Sequence, residues 1–329
     1  MNPLLPKVHM TLEQVKAIFG HDEIRAIDHI QFCPGWGDAL MNPEILPMID
    51  YLFETACETG EPLNLQIITN GSLRSEEWWF ELGKTMKYFS DMNPPNLSLN
   101  MTFDIDGITQ EMHAKYRRGT DLNRVLENME MCSSFPLTFA TSQSVIFEHN
   151  YHHMSAIETM AKKFGSISHS FIRSERFDNP LDVDDPDFKF KNEDGKLEYL
   201  TMSPPLNTGF REEMTEEIDC RYAGKNEIKI NYDGQVLPCC YFTNAYIAGE
   251  RWSSFDDAGQ WKESWIAKEY LKNKMAHNAF ERPLLEIISD EWWTKKLPFS
   301  WKHENKTALQ CVKHCSAKNG TFRVGPDTL

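Results

Sequence analysis

The chain has 329 residues, 41% of them hydrophobic and 12% aromatic, enough for one large α/β domain with an appendage or for two domains. Its formal net charge of −15 argues against a nucleic-acid or anionic-membrane partner, since either needs a basic surface. No apolar run approaches the roughly 18–20 residues of a membrane span, and residues 1–16 lack a signal peptide's charged start and apolar stretch, so a cytoplasmic protein with reduced thiols is expected.

In chain order, a helix at 11–19 opens behind Thr11, an N-cap residue with Glu13 close by. Strand patterns follow at 26–32, 63–69, 97–103, 139–146 and 167–172. Between them lie helices at 43–55, which starts with Pro43, at 75–88 with Trp78, Trp79, Leu82 and Met86 at helical spacing, at 121–131 and at 152–164. Alternation of this kind predicts βαβ units on a parallel sheet, an incomplete α/β barrel of five strands. The pattern dissolves from Arg173, and 182–187 is an acidic, turn-rich linker. The expected organisation is a partial (β/α) barrel over 1–175, a linker over 176–216 and a small cysteine-rich α+β domain over 217–329. That last domain carries a helix at 260–275, and Trp292, Trp293, Phe299 and Trp301 are expected to wrap its core.

In parallel α/β folds, chemistry gathers at the carboxyl ends of strands. After the first strand, Gly35 and Gly37 permit close backbone approach and Asp38 supplies a carboxylate. After the second, Asn70-Gly71 forms a tight turn. The third ends in Asp104-Ile105-Asp106-Gly107, followed by Arg117 and Arg118, candidates to pair with carboxylates of cofactor or protein, with a surface salt bridge as the default for a lone arginine pair. Asp104 and Asp106 share a side of the strand by their spacing of two. His149, His152 and His153 read as capping or surface residues.

Eight cysteines in a reducing compartment are better explained as ligands and small core residues than as disulfides. Cys57 and Cys132 fall among apolar residues on helical patterns and are expected in the core; Cys33 reads as structural. Cys220, Cys239, Cys311 and Cys315 are different. Residues 227–238 form a hairpin pattern turning at Tyr232-Asp233-Gly234, which hands Cys239 to the end of its second strand. With Cys220 before it and the late pair Cys311/Cys315, this describes a four-thiolate cage for an iron–sulfur cluster or zinc. Cys240 adjoins Cys239, and neighbours on a strand face opposite ways, so Cys239 is taken as the ligand.

The succession Gly37-Asp38-Ala39, 68–71, 104–107 and 116–119 resembles the radical S-adenosylmethionine (SAM) superfamily, where a glycine-glycine-acid motif binds SAM. Cys220, Gly234, Cys239, Cys311 and Cys315 resemble that superfamily's SPASM or twitch extension, which holds an auxiliary 4Fe-4S cluster. Residues 70–79, 116–120 and 145–150 are similar to segments of one SPASM-type branch, so the resemblance spans nearly the whole chain. It implies a (β/α)6-type barrel, SAM as cofactor and cleavage of SAM to a 5′-deoxyadenosyl radical that abstracts hydrogen from a peptide or small-molecule substrate. It further implies a reducing protein such as a flavodoxin or ferredoxin. Gly35, Gly37 and Asp38 would meet SAM, with Asn70 and Asp104 lining the cavity. One departure stands out: the superfamily's CxxxCxxC motif is absent from the 329 residues. The expectation is a start upstream of Met1, which would supply the catalytic 4Fe-4S cluster, or a decayed or split gene. The alternative is a non-catalytic iron–sulfur or zinc-binding remnant.

Overall fold

A computed structural model describes residues 8–32, 37–94, 96–173, 187–191, 196–203, 218–220, 222–243, 246, 264–303, 306–308, 310–311, 315 and 323–324. The chain divides into two compact units, one formed by 1–26 with 210–321 and the other by 27–209 with 322–329. Among the described residues, no helix is long and apolar enough to cross a membrane.

The N-terminal segment of the first unit holds α1 (Leu12–Ile18) and α2 (His21–Ala26). Thr11 closes a capping box with Gln14, each side chain bonding the other's backbone N–H. Helix α2 takes Ala26, where a strand was expected to begin. The HDEIRA run has acids in its first turn and Arg25 in its last, which suits a short helix.

The second unit then runs β1 (His29–Phe32), α3 (Ile45–Thr59), β2 (Leu63–Thr69), α4 (Glu76–Asp91), β3 (Leu97–Asp104), α5 (Gln110–Ala114), α6 (Leu122–Ser133), β4 (Thr138–Ile146), α7 (Glu148–Tyr151), α8 (Met154–Lys163) and β5 (His169–Arg173). Strands β1 to β5 form one parallel sheet in sequential order, as the βαβ pattern requires. An antiparallel ribbon, β6 (Asp187–Lys191) with β7 (Leu197–Thr201), stands apart from it.

Alternation along the strands decides what each face does. Leu63, Leu65 and Ile67 of β2 and Leu97, Leu99, Met101 and Phe103 of β3 are all buried. The helices supply matching apolar stripes, Ile49, Leu52, Phe53 and Ala56 from α3 and Trp79, Leu82, Met86 and Phe89 from α4. Phe53 meets Phe89 edge-on at 5.5 Å, and Trp79 stacks on Phe103 at 6.1 Å. Each such side chain contributes about 1.5–3 kcal/mol on burial. Cys132 is buried as expected, whereas Cys57 is only half-buried on α3.

The remainder of the first unit holds a hairpin, β8 (Lys229–Ile230) with β9 (Val236–Leu237), and helices α9 (Trp265–Lys272), α10 (Leu284–Ser289) and α11 (Leu297–Trp301). Leu237, Phe242, Tyr246, Ile266, Tyr270 and Trp292 form its core, with Trp293 and Trp301 packed against it. Phe299 is exposed and lies on the rings of Trp265 and His303, so only part of the aromatic cluster wraps the core.

The hairpin turns at Gly234, which has φ +80°. A Cβ there would lie 2.4 Å from Asn278 Oδ1 and 2.6 Å from the Phe280 ring. Asn278 is not free to swing, because it donates to Asp233 O and accepts from Phe280 N. Gly234→Ala is therefore expected to destabilise this unit by about 2–4 kcal/mol, from left-handed strain plus overpacking. A chemical-denaturation midpoint equal to wild type would refute the turn.

Candidate functional site

At the carboxyl edge of the parallel sheet, the ends of three strands come together, with acids from the first and third and Thr69-Asn70 from the second. Asp38 N-caps a short 3₁₀ turn (Ala39–Met41), accepting from Leu40 N at 2.9 Å. The same carboxylate accepts from Asn70 N at 2.6 Å and the Thr69 hydroxyl at 3.0 Å, tying the loop after β1 to the end of β2. Burial raises the Asp38 pKa, although those hydrogen bonds and Arg117 pull against it. Asn70 spends its carbonyl on Ser72, from which it accepts both N–H and hydroxyl bonds. Its amide nitrogen donates to nothing among the described residues. Gly71, at φ +76°, packs so close to Phe103 that a Cβ would sit 2.7 Å from its ring. Gly37 also has positive φ, +115°, while Gly35 and Cys33 lie outside the described residues.

Asp104 closes β3 and Asp106 follows two residues on. Arg117 bridges them, its Nη1 2.9 Å from Asp104 Oδ2 and its Nε 2.6 Å from Asp106 Oδ2. This pairing is buried, with Asp106 fully inaccessible, which corrects the reading of Arg117 as a surface partner. Burial pushes Asp104 up to about 6, against the pull of Arg117 and with a further push from Asp106 and Asp38. Asp106 is likewise raised by burial. Burial opposes the Arg117 charge too, but the two carboxylates hold it protonated more firmly than usual. Asp38, Asn70 and Asp104 thus lie together, by direct hydrogen bond or within reach of one another's charge.

Three further residues were missed by sequence reasoning. His113 accepts the Asp106 N–H on Nδ1 at 3.2 Å, so Nδ1 is unprotonated and Nε2 carries the proton toward the Thr120 hydroxyl, 2.9 Å away. Thr120 in turn donates to Arg117 O. Asn150 donates to both Asp106 O and Val145 O at 3.0 Å and accepts from Phe147 N. Gln143 donates to Asp104 at 2.8 Å. His149, read as capping or surface, instead stacks on Phe147 with a buried, unbonded Nε2, and burial lowers its pKa to about 4.

The sheet face that carries Asp104 holds a polar lane across β2, β3 and β4. Asn64 bonds Ser98, Gln66 bonds Thr102, Thr102 bonds Thr141, and Thr141 bonds Asn100. A parallel sheet covered on both faces is normally apolar on both. The alternation of Ser98, Asn100 and Thr102 with Leu97, Leu99 and Met101 in β3, and of Asn64 and Gln66 with Leu63 and Leu65 in β2, was the available signal that one face here serves a different purpose.

In the other unit the four nominated thiols share one neighbourhood. Cys220 and Cys315 influence each other's titration, and Asp219 N donates to Cys315 O at 2.9 Å. Cys239 lies in range of the charges of Cys220 and Cys311, and Cys315 in range of Cys239 and Cys311. Backbone N–H groups point at sulfur, Ala223 N at Cys220 (3.5 Å) and Phe242 N at Cys239 (3.4 Å). Interaction with Cys315 lowers the Cys220 pKa, and the same interaction with burial raises that of Cys315. Burial pushes Cys311 up to about 12 and raises Cys239 as well. Among the described residues, no group of three or more His, Cys, Asp or Glu side chains is closed into a metal-holding geometry.

Strand β9 ends at Leu237, and Cys239 and Cys240 lie at the start of a helical turn. The strand-alternation argument for choosing between them therefore does not apply. Contacts separate them instead, since Cys240 meets the Tyr222 hydroxyl at 3.0 Å whereas Cys239 is buried in range of Cys220 and Cys311.

No known family matches this chain, and neither does any curated protein. Among solved structures, one described as hexahistidine-tagged anSMEcpe with bound AdoMet aligns over 86% of this chain and 73% of its own. The two share 12% sequence identity with a TM-score of 0.47.

Proposed function

We propose that this chain is a radical SAM-type protein whose parallel sheet is part of a SAM-binding barrel and whose cysteine-rich unit holds an auxiliary iron–sulfur cluster. The observation that carries the reading is the convergence of Asp38, Asn70 and Asp104 on one carboxyl edge, in the order that the sequence motifs predict. There Asp38, Asp104 and Asp106 outnumber Arg117 and Arg74, leaving excess negative charge for a cationic ligand. SAM, with its sulfonium and amino groups, suits that balance. Asn70 would offer its amide N–H₂, and Asp104 would face the ligand from β3 beside the polar lane of β2–β4. SAM reduced by an iron–sulfur cluster supplies a 5′-deoxyadenosyl radical for hydrogen abstraction, on a peptide or small-molecule substrate.

What supports a thiolate-bound cluster is the donor chemistry of the four thiols, which among the described residues are not closed into a metal-holding group. The four thiols sense one another's charge, and two backbone N–H groups aim at sulfur. Cys220, Cys239, Cys311 and Cys315 would be the ligands. The absence of CxxxCxxC from these 329 residues favours a second reading, in which the same cage is structural and the chain performs no radical chemistry.

Two measurements test this. Anaerobic reconstitution with iron and sulfide should give about four irons per chain, lost in Cys311→Ser; one colourless zinc would leave the structural reading alone standing. Equilibrium dialysis with SAM should show binding that Asn70→Asp weakens at least tenfold, since Asp keeps the turn acceptor but lacks the donor. No SAM binding by wild type would overturn the SAM-site assignment.

A further inference from the structure

Three consecutive residues of β4 hold three consecutive residues at the end of β3. Gln143 donates its side-chain amide to Asp104 at 2.8 Å and accepts the Ile105 N–H on its carbonyl at 2.8 Å. Val145 N donates to the Asp106 carboxylate, and the Ser144 hydroxyl donates to Ile105 O. The β3–β4 register ends at Asp104 and Gln143. In a continuing parallel ladder the next donor to Ile105 O would be Val145 N. Asp106 takes that N–H instead, so the Ser144 hydroxyl stands in for the missing ladder bond. Ser144 and Ile105 are both buried. The Ser144 hydroxyl has one proton, given to Ile105 O, so toward His169 Nε2, 2.9 Å away, it accepts. Burial keeps His169 neutral, with a pKa of about 4. A proton on Nε2 then leaves Nδ1 as the acceptor for the Ser142 hydroxyl at 2.7 Å. The bonds from Ser142 through His169 and Ser144 thus all point one way, toward the backbone between the two acids.

We infer that Ser144 is a positioning residue for the site at the carboxyl edge, holding the Ile105–Asp106 peptide so that Asp104 faces a bound ligand, with His169 turning its hydroxyl to that carbonyl. The inference rests on the SAM-site reading above and deepens it. Without Ser144, Ile105 O is a buried acceptor that has lost its side-chain donor, and the peptide unit relaxes to find another. The same unit gives its Asp106 N–H to His113 Nδ1, so a turn there also disturbs the far side of the acid pair.

The experiment compares wild type, Ser144→Ala and Thr138→Val by equilibrium dialysis with SAM and by NMR of carbonyl-labelled protein. Thr138→Val also removes a buried hydroxyl from β4, one that serves Cys132 O at the far end of the strand. Ser144→Ala should weaken SAM binding about tenfold or more and move the Ile105 carbonyl resonance upfield, the signature of a lost donor. Thr138→Val should leave both readings at wild type, whatever stability it loses. Wild-type affinity in Ser144→Ala, with or without a shifted carbonyl, would overturn the role of Ser144 and leave the SAM site standing. Equal weakening in Thr138→Val would overturn it too, since the effect would then be general to the strand. No SAM binding by wild type would overturn the site assignment and this role with it. If Ser144→Ala is misfolded by circular dichroism, Ser144→Cys decides by the same two readings. It keeps the side-chain volume with only a weak donor, and wild-type affinity in it refutes the proposal.

Discussion

Arg117→Met is expected to cost the sheet unit about 3–5 kcal/mol, the usual consequence of leaving buried carboxylates without their cation. Asp104 and Asp106 are both buried, and both depend on this one guanidinium. For a unit of this size the loss lowers Tm by about 6–20 °C. Arg117→Lys should recover less than half of it, because one ammonium cannot reproduce the fork that places Nε on Asp106 and Nη1 on Asp104. Adding Asp104→Asn to Arg117→Met should return about 1–2 kcal/mol by removing one uncompensated charge. Asp106→Asn alone should cost more than Asp104→Asn alone, since Asp106 also accepts from Val145 N and is the more deeply buried. Calorimetry on the five variants settles the matter, and an Arg117→Met loss under about 1 kcal/mol would refute a buried ion triad.

Much of the sheet unit was legible because its strands alternate and its helices carry apolar stripes. The strands expected at 63–69, 97–103 and 139–146 match β2, β3 and β4 to within a residue at either end. The start of β1 was misplaced because HDEIRAI mixes apolar and polar residues at a spacing compatible with either structure. Asp38, Asn70 and Asp104 were found because each sits at a strand end next to a glycine or turn residue, a local signal. His113 was not found, and Arg117 was named only together with Arg118 as a candidate carboxylate partner, for a different reason. Their roles depend on α5 and the following loop folding back over the end of β3, and nothing in residues 108–120 announces where that loop returns. Two adjacent arginines look alike in sequence; only the register of the return decides which one is buried. Similarly, the neighbours Cys239 and Cys240 were separated by assuming a strand, whereas the chain had already begun a helical turn.

Acid should loosen the same network from a second direction. His113 is buried and neutral, held near 4 by burial and by the neighbouring Arg117 cation. Its Nδ1 accepts a backbone N–H, a group that can only donate, so protonation at Nδ1 sets two donors against each other. In the unfolded chain His113 returns to about 6.5 and binds protons that the folded state refuses. Stability from this group is therefore complete above about pH 6.5 and is lost as pH falls to about 4, a change of about 2–3 kcal/mol. Asp104 works the other way. Raised to about 6, it takes up a proton in the folded state before its unfolded counterpart does, and so adds stability as pH falls from about 6 toward 3.8. The two effects oppose each other within one hydrogen-bonded cluster, and substitution should separate them. His113→Asn, whose carbonyl can still accept from Asp106 N, should flatten the loss between about pH 6.5 and 4 by about 2–3 kcal/mol relative to wild type. Asp104→Asn should steepen it by a similar amount. Denaturant unfolding at half-unit pH steps measures both slopes, and parallel curves for the three proteins would mean that neither group is held in the protonation state the geometry requires.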